Sequence, residues 1–132
     1  LGIKSIPVLS ADTPVAATEW LSNHPELPGP MWSDLTFSSY LIFALPSRPV
    51  WIDTRFEMIY PAAQYERYAE IARAAPSWPQ MLDEEDINLL VLSKLGEPNL
   101  IEAIRSSIQW CEEYSDQIAI IYSRKISGEA CP

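Results

Sequence analysis

Residues 87–93, "INLLVLS", form a continuous apolar run, β-branched in part, with acids before it and Lys94 after it. A run of that length without polar alternation suits a strand covered on both faces. Such a strand needs other elements above and below it, so this short segment predicts a layered domain.

The flanking segments supply those layers. "DTPVAATEWLSNHP" reads as a helix: Thr13 caps it, Pro14 fits the first turn, and the His24–Pro25 step ends it. Val15, Ala16, Trp20 and Leu21 make its apolar face. Residues 30–33 form a short strand ending at Asp34. A short helix follows, with Phe37, Tyr40, Leu41 and Ala44 on one side and Pro46 as its stop. Residues 49–53, "PVWID", read as a buried strand. Pro61 opens a helix in which Ala62, Tyr65, Ala69 and Ala72 recur at helical spacing. Ser77 and Gln80 have the spacing of a capping box for a further helix. Residues 99–107 form another, with Leu100, Ile101, Ile104 and Ile108 apolar. "WCEEYSDQIAIIYSRK" reads as a hairpin turning at Ser115-Asp116-Gln117.

Strands and helices thus alternate. The pattern predicts an α/β fold of three layers, with a mostly parallel sheet of about five strands and a closing antiparallel hairpin. Residues 1–12 read as an extended lead-in, 13–125 as a single α/β domain and 126–132 as a flexible tail. With 132 residues, 48% of them apolar, one domain with a real core can form. The chain begins at Leu1 rather than methionine, which reads as an excised or processed fragment.

Several functions are disfavoured. A net charge of −9 argues against binding nucleic acid or an anionic membrane surface. The four glycines stand alone, so no phosphate-cradling glycine loop can be built. The single histidine, His24, sits at a helix end before proline and reads as a surface residue, which leaves no two-histidine metal site. No span reaches the roughly 20 apolar residues that cross a bilayer. Cys111 and Cys131 have neither CxxC nor zinc-type spacing. Two unpaired thiols are the ordinary reading, and a disulfide in an oxidising compartment is the alternative. No metal or cofactor is expected.

What remains is the acids. In α/β sheets, ligands tend to sit beyond the carboxyl ends of the strands. Asp34, Asp53 and Ser93 all fall at such ends. An aspartate pair could bind a divalent cation or work as acid and base on a sugar. Strand-end aspartates more commonly accept backbone N–H bonds from the helix that follows. Arg55 could bind an anionic ligand, but a carboxylate partner in Asp34 or Asp53 is the favoured reading. The run Asp83-Glu84-Glu85-Asp86 reads as a solvated connection, and Trp78, between prolines 76 and 79, as the tryptophan most expected to be partly exposed.

The stretches "SDLTFSSYLIFALPSRPVWIDTRFEMIYP", "YAEIARAAPSWPQMLDEEDINLLVLSK" and "YSDQIAIIYSRK" together resemble a bacterial pattern. It is that of the soluble C-terminal domain of polytopic membrane glycosyltransferase-like proteins that use lipid-linked sugars, mannosyltransferase-like proteins among them. Asp34, Tyr40, Leu41, Leu45-Pro46, Asp53, Arg55, Tyr60, Trp78 and the strand from Ile87 to Leu92 match by position. Ser38-Ser39 replace two glycines of the pattern, and Thr54 replaces a third. The resemblance implies a non-catalytic accessory domain on the extracytoplasmic face of a bacterial membrane, with membrane-spanning helices before Leu1. Its partners would be the transmembrane part of the parent protein and a sugar or glycan acceptor, with no nucleic acid. Asp34, Asp53, Arg55, Tyr60 and Tyr40 would form a polar latch or, alternatively, line a small-ligand or sugar site.

Overall fold

A computed structural model describes residues 11–51, 62–126 and 129–131. Within them the chain runs α1 (Val15–Ser22), β1 (Met31–Ser33), α2 (Leu35–Ala44), α3 (Ala62–Ala72), α4 (Trp78–Glu84), β2 (Leu89–Ser93), α5 (Pro98–Arg105), β3 (Trp110–Ser115) and β4 (Ala119–Arg124). The four strands form one sheet in the order β1-β2-β4-β3. Strand β2 is buried along its whole length, as its unbroken apolar run demands.

Helices cover both faces of the sheet. Trp32, Leu90, Leu92, Trp110, Ile120 and Tyr122 point to one side, where they meet Tyr68, Ile71, Trp78, Leu82, Leu100, Ile101 and Ile104 of α3, α4 and α5. Met31, Leu89, Val91, Ala119 and Ile121 point to the other, against Ala17, Leu21, Phe37 and Leu41 of α1 and α2. The period of two along each strand therefore divides the apolar residues between two cores.

The sheet departs from the mostly parallel, five-stranded expectation. There are four strands among the described residues, and only β1 and β2 pair in parallel. Strand β4 pairs antiparallel with both β2 and β3, so most of the pairing is antiparallel. The hairpin does not simply extend the sheet. Its second strand enters the interior, beside β2, because Ala119–Ser123 is buried throughout. Its first strand takes the edge, where Glu112 can stay exposed. The strand expected at 49–53 is reduced, among described residues, to one parallel bridge from Val50 to Met31, with Trp51 N–H donating to the Met31 carbonyl at 2.8 Å. Pro49 has no N–H for a longer ladder.

Local corrections follow from packing. Helix α1 buries Ala17, Thr18 and Leu21, while Val15 and Ala16 are exposed. Thr18 can enter the core because its hydroxyl donates to the Pro14 carbonyl at 2.6 Å. Helix α3 buries Tyr68 and Ile71 instead of the alanine stripe. Trp78 is buried in the core, and Ser77 makes no side-chain cap bond. Ile108 lies beyond α5 and is exposed. The acidic run is largely exposed, as expected, and three of its four acids also meet arginines: Asp83 meets Arg124 at 2.7 Å, and Arg67 meets Glu84 at 2.9 Å and Glu85 at 3.3 Å. Arg124 also donates to the Ile87 carbonyl at 2.6 Å and lies over the Trp110 ring, tying the end of α4 to the sheet.

Cys111 and Cys131 are joined in a disulfide with their Cα atoms 5.4 Å apart, which corrects the reading of two unpaired thiols. The hairpin turn is as expected. Asp116 accepts from the N–H groups of Ile118 and Ala119 at 2.7 and 2.8 Å. Burial pushes its carboxyl up, but the Tyr114 hydroxyl, donating to it at 2.6 Å, and then those two N–H groups hold it below the usual range.

Helices α3 and α4 both end with a non-glycine residue in the left-handed region, Ala74 (φ 58°) and Asp86 (φ 55°). In each case the next N–H reaches back five residues, Ala75 to Glu70 and Ile87 to Leu82, the bond of a Schellman motif. Glycine is the usual occupant there because a Cβ is strained. Ala74→Gly is expected to raise stability by about 0.5–1 kcal/mol, read as a higher urea midpoint with an unchanged slope. A lower midpoint would contradict it.

Candidate functional site

The carboxyl ends of the parallel pair β1 and β2 converge on a buried polar cluster. Strand β1 ends at Ser33, and Asp34 continues the ladder by donating its N–H to the Val91 carbonyl at 3.0 Å. The next residue begins α2, whose first N–H groups lack helical partners. Asp34 supplies two of those partners: its Oδ1 accepts from Thr36 N–H at 2.9 Å and Phe37 N–H at 3.3 Å, and also from the Thr36 hydroxyl. The Tyr68 hydroxyl, arriving from α3, accepts from Leu35 N–H at 2.6 Å. Asp34 is thus the helix cap that its place in "SDLT" predicts, and it is only 5% exposed.

Strand β2 ends at Ser93 and turns through residues 94–96 into α5. Glu97 occupies the capping position of α5 and is 3% exposed. Its side chain folds back to accept the Ser93 N–H at 3.0 Å, while the Gly96 N–H donates to the Ser93 hydroxyl at 2.9 Å. Gly96 lies so close to Asp34 that a Cβ there would stand 2.6 Å from Oδ2 and 3.2 Å from the Ser93 Cβ.

Asp34 and Glu97 share the wall of one cleft, near enough for each carboxyl to affect the other. Burial first, then the neighbouring Asp34, push the Glu97 carboxyl up to about 9, and the Ser93 N–H opposes the shift. Those influences favour the protonated form of Glu97 at neutral pH. Burial, reinforced by the charges of Asp34 and Glu97, also pushes the Tyr68 phenol far above its ordinary range, so it stays protonated.

Two clefts flank the β2–α5 loop. One, of about 420 Å³, has Asp34, Thr36, Ser39, Ser93, Leu95 and Gly96 in its wall. The other, of about 510 Å³, is shared by Asp34, Tyr68, Arg73, Leu95, Gly96 and Glu97. Leu95 projects between them, 82% exposed. Acid–base work on a sugar would need two carboxyl groups open to a substrate between them. Here Asp34 is held by backbone donors, and the acid beside it is buried.

Among the residues expected at a site, Asp34 and Ser93 come together here. Tyr40 does not line either cleft; its half-buried ring tilts against Phe43. Asp53, Arg55 and Tyr60 lie outside the described residues, as does the arginine latch built on them. Among the described residues Asp34 accepts hydrogen bonds from Thr36 and Phe37, and Glu97 lies beside it in the wall of the larger cleft. Glu97, Gly96 and Tyr68 were not anticipated. The one sequence signal for them is "SKLGEP", where a glutamate just before a helix-opening proline stands in a capping position.

Gly96→Ala is expected to destabilise the domain by about 1–3 kcal/mol, since the Asp34 carboxyl and the Ser93 side chain leave no room for the methyl. Tyr68→Phe, which strips Leu35 N–H of its acceptor, should cost about 1–2 kcal/mol. Chemical denaturation checks both, and wild-type midpoints would contradict the packing described. No family model matches this chain, and no curated protein is significantly similar to it, so the chemistry of the site is argued from its geometry.

Proposed function

We propose that this chain is a non-catalytic accessory domain of a membrane glycosyltransferase-like protein, on the extracytoplasmic side of a bacterial membrane. It packs on the transmembrane part or helps present the acceptor. The observation that carries this reading is the state of Asp34, the acid at the carboxyl end of the sheet. Its side chain is buried, its Oδ1 is occupied by α2 amides, and a second buried acid, Glu97, stands in the same cleft wall. That is the environment of a structural carboxylate.

Two further facts agree with the reading. The Cys111–Cys131 disulfide suits an oxidising compartment. Among the described residues no helix is long and apolar enough to cross a membrane, so any spanning part would be supplied from elsewhere.

A second reading, a small-ligand or sugar-binding module, is favoured by the two clefts beside the loop, with their hydroxyl-bearing walls. A thermal-shift screen separates the two. Neutral sugars, sugar phosphates and calcium, each at millimolar concentration, should leave the Tm within about 1 °C if the cluster is structural. A ligand present at about 100 times its Kd would add about 2.7 kcal/mol and move the Tm by several degrees. A shift of that size, lost in Asp34→Asn, would establish the binding module in place of the accessory domain.

A further inference from the structure

The Cys111–Cys131 disulfide joins two unlike surroundings. Cys111 lies on β3 opposite Ser123 of β4 and is 4% exposed. Cys131 is exposed, and so are Glu129 and Ala130 before it. The bond borders a cavity of about 240 Å³. Its wall takes Leu27 and Pro28 from the segment before β1, Cys111 and Ser123 from the hairpin, and Glu129 and Ala130 from the tail. The hairpin is held by its own ladder, from the Ser115–Ile120 pair to the Trp110–Arg124 pair. Beyond that pair the Lys125 N–H still donates to the Gln109 carbonyl at 2.7 Å. The disulfide acts past the end of this ladder: it fixes the tail against the cavity.

We propose that Cys131 is a site of reversible modification by small thiols, with Cys111 as the resolving cysteine, and that the exchange releases the tail from the cavity wall while the sheet stays folded. A thiolate attacks one sulfur of a disulfide and expels the other, so access to each sulfur selects the product. Here the accessible residue is Cys131, whereas Cys111 is buried on the sheet. The incoming thiolate bonds to the Cys131 Sγ. The Sγ–Sγ bond breaks, and its electron pair leaves with Cys111, which takes a proton from water.

The mixed disulfide on Cys131 has two exits. Cys111, again as thiolate, attacks the Cys131 Sγ and expels the small thiol, which restores the closed form. Alternatively a second small thiol attacks the outer sulfur of the adduct. Two small thiols are then oxidised to one disulfide, and both cysteines are left reduced. Either way the effect on the fold is local. Residues 129–131 are exposed, so moving them uncovers little apolar surface. The cavity loses the wall that the tail supplies and becomes a groove between residues 27–28 and the hairpin.

Glutathione is the probe. The folded full chain is exposed briefly to millimolar reduced glutathione, and free thiols are then capped with N-ethylmaleimide. Trypsin separates the two cysteines, Cys111 in peptide 106–124 and Cys131 in peptide 126–132. Early adduct on Cys131 is expected to exceed that on Cys111 about tenfold or more. In urea, where both sulfurs are open, the two adducts should be near equal. Comparable adducts in the folded chain, or an excess on Cys111, overturn the proposal. So does the same Cys131 excess in urea, or a folded chain that takes up no glutathione while the unfolded chain does. Cys131→Ser tests the release. It should still unfold in one cooperative transition, with amide shift changes confined to the cavity wall and the tail. Changes that reach β2, or loss of the cooperative transition, overturn it.

Discussion

Burial of β2 on both faces is the constraint from which the rest of the architecture follows. Leu89, Leu90, Val91 and Leu92 are all inaccessible to solvent, alternately facing two helical layers. A strand of this kind can sit only in the interior of a sheet, so it needs a neighbour on each side. The parallel partner β1 supplies one edge and the returning strand β4 the other. Each fully buried leucine or isoleucine contributes roughly 1.5–3 kcal/mol. Those contributions are available only if α1 and α2 close one face and α3, α4 and α5 the other.

The same arrangement brings polar groups together. Two parallel strands end side by side, and each is followed by a helix whose first amides need acceptors. At β1 the acceptor is the residue directly after the strand, Asp34. At β2 it is Glu97, whose side chain turns back to the strand end instead of capping its own helix. Two acids placed for separate backbone duties thereby come into contact in a region with little water. Burial and the neighbouring acid favour the neutral form of Glu97, which lessens the repulsion two carboxylates would feel. The cluster is a consequence of helix and strand termini meeting, and this is why its acids face backbone amides more than they face the clefts.

Local pattern carried much of this, and strand order carried none of it. The β2 run, the hairpin with its Asp116 turn and the capping role of Asp34 are all visible as short-range signals. The position of β4 is not, because order in a sheet is set by contacts far apart in sequence. In retrospect "AIIYS" has the same unbroken apolar character as β2 and marks an interior strand. Phase was misread where size and polarity disagree with burial. Thr18 enters the core because its hydroxyl is satisfied within the helix, and Tyr68 displaces alanines because α2 needs its oxygen. Glu97 was hidden for the opposite reason. An acid is rarely buried, and nothing local to the sequence reveals that another acid will meet it.

Glycine scarcity explains how the fold distributes its strain. Ala74 and Asp86 occupy left-handed positions where glycine is the ordinary choice, at a conformational penalty of about 1–2 kcal/mol for the alanine and less for the aspartate. These ends lie where a side chain can still find space. At Gly96 the obstacle is contact and not backbone angle: the Asp34 carboxylate occupies the volume a Cβ would need. By contrast, a Cβ at Gly29 would stand 4.0 Å from its nearest neighbour, the Met31 N. A chain that tolerates strain at two helix ends yet keeps glycine against Asp34 is constrained most tightly at the junction of β1, β2 and α5.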